Sequence, residues 1–85
     1  MPYIKGNLRD KYDKILSEFK EKTPGTEGEL NYIISSMLKI CWEQSDQSYY
    51  VANSLIGVME CAKLEFYRRT VSEYELEKMK ENGDI

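Results

Sequence analysis

Residues 48–71 read SYYVANSLIGVMECAKLEFYRRTV, and no other stretch limits the fold as strongly. Leu55, Met59, Ala62 and Phe66 recur at spacings of three and four, and Ala52, Ile56, Val58 and Tyr67 widen the stripe. That period belongs to an α-helix. An apolar surface over more than half the circumference belongs to a helix contacted from several sides. A central helix is therefore predicted over about 48–71, with Asp46 or Ser48 as its N-cap.

The flanking segments supply shorter helices. Leu8, Tyr12, Ile15, Leu16 and Phe19 form one apolar stripe, which predicts a helix over about 8–21 with Asn7 as N-cap and a charged outer face. Ahead of it, residues 1–6 should form an extended arm, with Tyr3 and Ile4 tucked against the bundle. The loop TPGTEG stops this helix at Pro24 and Gly25, and it starts the next because Thr26 and Glu29 have capping-box spacing. Two glycines here do not make a phosphate loop: no GK[ST] follows, and Glu27 and Glu29 would repel a phosphate. Leu30, Ile33, Ile34, Met37, Leu38, Cys41 and Trp42 then carry a helix over about 27–43, ended by EQSDQS. Ser72 and Glu75 repeat the capping-box spacing. They predict a bend after Val71 and a short C-terminal helix over about 73–81, stopped at Asn82-Gly83 before a fraying acidic tail. The expected fold is all-α: one domain over 1–85, a compact up-down bundle of three main helices plus the short terminal one.

At 85 residues such a bundle has little stability to spare, so self-association is an open route to more. Cys41 and Cys61 fall in apolar phase on their helices and read as reduced core thiols in an intracellular chain. With no histidine and no CxxC pair, no metal or other cofactor is expected. No apolar run approaches the roughly 18 residues of a membrane span, and the start of the chain lacks a signal peptide's apolar core. A cytoplasmic location follows as the expectation.

The net charge of −3 is unevenly spread. Residues 23–60 hold only Lys39 against five acidic side chains, which argues against duplex DNA as a partner. A small cationic spot built from Arg68, Arg69 and part of the first helix, where Lys5, Arg9 and Lys11 lie, would suit a small anion better. Arginine forks grip phosphate, and tyrosine rings stack on bases or fill protein interfaces. Candidate binding residues are therefore Arg68, Arg69, Tyr67, Tyr49, Tyr50 and Trp42. The bland alternatives are arginines paired with Glu65 or Glu73, and Trp42 serving as a lid on the core. Gly57 joins the candidates because glycine inside a helix costs about 1 kcal/mol relative to alanine. Close packing of another helix, from this chain or a second copy, would explain it, as would a ligand against bare backbone. Asn53, one turn before Gly57, completes a polar strip with Glu60.

The segments PYIK at residues 2–5, GELNYIIS at 28–35, ANSLIGVMECAKLEFYRR at 52–69, and the closing YE and ENGDI carry a resemblance. The chain resembles a family of short proteins found mainly in tailed phages and prophages, whose members have no established activity. Members tend to carry proline where this chain has Ser72-Glu73, in keeping with a helix break there. The resemblance implies a phage origin and transfers no catalytic or binding residue.

Catalysis is not expected. No nucleophile has an adjacent base, and Glu60 and Glu65 are five positions apart, off a common helix face. The expectation is a non-enzymatic binding protein, homo-oligomeric, that acts against host defence by sequestering a nucleotide signal or blocking a host protein. An oligomeric assembly accessory and a DNA-binding regulator are the alternatives.

Overall fold

The computed structural model describes residues 4–83; the arm residue Tyr3 and the last two residues of the tail lie outside them. Among the described residues all regular structure is helical, with no strand. The elements are α1 (Gly6–Arg9), a 3-10 turn (Asp10–Tyr12), α2 (Asp13–Glu21), α3 (Glu27–Glu43), α4 (Tyr49–Phe66), a π-helical turn (Tyr67–Val71) and α5 (Ser72–Asn82). They form three continuous helical stretches, close to the three main helices of the sequence reading. By their contacts, residues 1–41 and 42–85 form two units.

In the first unit, the helix begins at Gly6, ahead of the predicted start. Lys5 is the boundary residue and makes no side-chain cap, so Asn7 lies inside the first turn. The end is secured by Thr23, whose hydroxyl is shared between the carbonyls of Lys20 (3.0 Å) and Phe19 (3.2 Å), the latter also accepting from the Lys22 N–H at 3.1 Å. The loop then sets up α3 as expected. The Glu29 N–H donates to Thr26 Oγ1 at 3.1 Å, and the Glu29 carboxylate accepts from the Thr26 hydroxyl at 2.9 Å and the Gly25 N–H at 3.2 Å.

The second unit opens with a turn. Ser45 donates its hydroxyl to the Trp42 carbonyl (2.6 Å), and Asp46 accepts from the Ser48 N–H (3.1 Å). Between them Gln47 takes φ 55, a left-handed conformation that side chains other than glycine tolerate poorly. Ser48 then caps α4, accepting from the Val51 N–H at 3.3 Å. Ser48→Ala should cost about 1 kcal/mol in denaturant unfolding, whereas Asp46→Ala, one step removed from the helix start, should cost less.

The predicted bend after Val71 does not form. The Ser72 N–H bonds to the Tyr67 carbonyl, five residues back, so the helix slips register through one π turn and continues. No Pro or Gly stops the backbone there, and Ser72 has no helix start to cap. The stop at Asn82 is as read: Gly83 sits at φ 86 and donates to Met79 O at 2.8 Å.

The compact core expected of a bundle is also missing. Among the described residues none is buried. Half-burial reaches Ile33, Ile34, Leu38 and Trp42 on α3, and Val51, Ala52, Leu55 and Met59 on α4. The stripe of the first helix is uncovered: Ile15 and Leu16 are 60% and 63% exposed, and Ile4 is exposed as well. Cys41 and Cys61 are unpaired, as read, but they are exposed rather than core thiols. The half-buried faces of α3 and α4 fall on the apolar stripes that the periodicity marks.

Candidate functional site

The π turn brings three of the sequence candidates together. Tyr67, Arg68 and Arg69 are consecutive on it, and Glu65, in the last turn of α4, holds both arginines. Arg69 Nε donates to Glu65 Oε2 at 2.6 Å, and Arg68 donates to Glu65 Oε1. The carboxylate is only 18% exposed while both guanidinium groups face solvent. Glu65 thus holds two forks side by side, each on a largely exposed side chain. It is also a negative charge that any bound anion must displace or share. In water-exposed geometry such pairs contribute at most about 1 kcal/mol each to stability.

Tyr67 donates its hydroxyl to Glu75 Oε1 at 2.7 Å, a bridge from the π turn to α5. That hydrogen bond is the main reason its phenol is held above the ordinary 10.0, with desolvation and the Glu75 charge adding to it. The neutral phenol is the form the fold prefers. The bridge therefore contributes fully below pH 10 and is lost as pH rises through the raised value. Unfolding midpoints followed from pH 8 to 12 should fall in this range, and the fall should be smaller for Tyr67→Phe.

The remaining candidates lie elsewhere. Tyr49 and Tyr50, 90% and 79% exposed, occupy the first turn of α4. About 26 Å of helix separates them from Tyr67, so one chain does not join the tyrosine pair to the arginine pair. Asn53 and Gly57 are exposed midway along α4. Among the described residues a Cβ on Gly57 would meet nothing within 4 Å, so no close approach of backbone explains this glycine there. Trp42 is half-buried in the last turn of α3, where its carbonyl accepts from Ser45. Lys5, Arg9 and Lys11 belong to the first unit and the arginine pair to the second.

Sequence reasoning missed the Tyr67–Glu75 bridge and a shallow groove of about 420 Å³ between the end of α2 and the start of α3, lined by Lys22, Thr23, Pro24, Glu29, Tyr32 and Ile33. Thr23 and Glu29 are engaged in helix capping, so the groove offers few polar groups for a ligand. Among the described residues no group of His, Cys, Asp or Glu could hold a metal ion, and no helix is long and apolar enough to cross a membrane.

Set against known proteins, residues 1–85 match a domain of unknown function, DUF6899. The chain belongs to that family. The match takes in both units and every candidate residue above. No curated protein and no solved structure matches the chain.

Proposed function

We propose that this DUF6899 chain is a non-enzymatic helical binding protein of tailed-phage origin. It works as a homo-oligomer in the cytoplasm of the infected or lysogenic host and sequesters a small nucleotide signal. The observation that carries this reading is the pair of outward guanidinium groups on the π turn, aligned by one sheltered carboxylate beside Tyr67. Arginine forks match phosphate oxygens in bidentate geometry, a neighbouring ring can stack on a base, and π turns within helices recur at functional sites.

A second reading, blocking of a host protein, draws on Tyr49 and Tyr50, whose exposure suits anchors for a protein surface. The assembly accessory and the DNA-binding regulator rest on no comparable cluster, and α3 offers duplex phosphates only Lys39.

Thermal unfolding with and without cyclic dinucleotides and related nucleotides tests the choice. A ligand at a hundred times its dissociation constant adds about 2.7 kcal/mol, an upward shift on the order of 10 °C for a chain this small. No shift with any nucleotide, together with a host protein retained by the native chain and released by Tyr49→Ala, Tyr50→Ala, would favour the second reading.

A further inference from the structure

We infer that the hydrogen bond from Tyr67 to Glu75 is a clamp that holds the helix in π register at the arginine pair. Glu75 is then a positioning residue for the proposed site, and Arg68 and Arg69 are set by a contact made beyond them. That bearing on binding rests on the nucleotide reading above; the clamp itself does not.

In a continuous α-helix eight steps overshoot two turns by about 80°, which puts residues eight apart on different faces. A hydrogen bond reaching five residues back takes one extra residue into the turn. Across the π turn, where the Ser72 N–H reaches the Tyr67 carbonyl, eight residues advance the helix as far as seven normally do, within about 20° of two full turns. Tyr67 and Glu75 share a face for that reason, and their oxygens meet at 2.7 Å. In the α register the same two side chains diverge, so the bridge belongs to the π register.

The segment YRRTV at 67–71 holds no proline or glycine to keep the chain out of the α register, in which Ser72 would donate to Arg68. The arginine pairs do not choose between the two. Glu65 lies three residues before Arg68 and four before Arg69, spacings that also meet on a plain α-helix. The bridge does choose, because it starts on the first residue of the turn and ends beyond the last. The choice reaches the site through the extra residue. It closes the angle between successive side chains from about 100° to about 80°, which draws the Arg68 and Arg69 forks together.

The test is NMR of the full chain, reading couplings across hydrogen bonds from the Ser72 amide nitrogen to the carbonyl carbon it bonds. The native chain should couple Ser72 to Tyr67. Tyr67→Phe keeps the ring and removes the donor; it should lose that coupling and gain one to Arg68, with helix content by circular dichroism unchanged. Glu75→Ala should do the same, whereas Glu75→Gln, which keeps a carbonyl acceptor, should retain the coupling to Tyr67. A Tyr67 coupling that survives in either Tyr67→Phe or Glu75→Ala overturns the clamp and assigns the register to other packing, such as that of half-buried Val71. A native chain that couples Ser72 to Arg68 overturns it too. No ligand enters these spectra, so a failure to bind nucleotide removes the proposed function alone.

Discussion

Arg68→Ala, Arg69→Ala should lower nucleotide affinity at least a hundredfold while leaving helix content unchanged. Each guanidinium contributes charge-assisted hydrogen bonds of about 1.5–3 kcal/mol to a phosphate, and two together exceed the 2.7 kcal/mol that corresponds to a factor of one hundred. The folded chain loses little, because both arginines are exposed and their pairs with Glu65 lie on the protein surface. Glu65→Gln should act in the opposite direction. It removes the charge that competes with the ligand, so affinity should rise several-fold if the arginines bind phosphate. If they serve only to neutralise Glu65, both variants should leave binding unaltered, which isothermal titration can read directly.

Ile15→Asp, Leu16→Asp should cost more than 3 kcal/mol of unfolding free energy at concentrations where the chain is assembled. Judged on one chain this would be surprising, since both side chains are over half exposed and exposed positions usually change stability by less than 0.5 kcal/mol. A stripe of Leu8, Tyr12, Ile15, Leu16 and Phe19 without a cover has no reason to be helical on its own. If another surface covers it in the assembly, two carboxylates placed there lose their water without gaining partners. Denaturant unfolding of the pair variant beside the native chain distinguishes a cost near zero from one of this size.

The helices were readable because their signals are local. Thr26 and Glu29 fix the start of α3 within one turn, Ser48 fixes that of α4, and Gly83 ends α5 by adopting a backbone conformation that glycine favours. The capping-box spacing of Ser72 and Glu75 misled for a related reason. A cap needs a chain that has left the helix, and nothing between Phe66 and Ser72 makes it leave. A slip into π register has no periodic signature, so the setting of Arg68 and Arg69 was not legible, although their pairing with Glu65 at three and four residues was. Tyr67 and Glu75, eight apart, lie outside the usual pairing distances along a helix. The core was misread most. An apolar stripe shows which face must be covered and carries no information about whether the cover comes from the same chain.

The proposal that the chain works as a homo-oligomer accounts for apolar stripes on helices among whose described residues none is buried. The most direct test is thermal unfolding of the native chain at two concentrations a hundredfold apart. Folding coupled to association predicts a midpoint several degrees higher in the concentrated sample. The same midpoint at both concentrations, with a sharp cooperative transition and a mass of 10.0 kDa throughout, would contradict it.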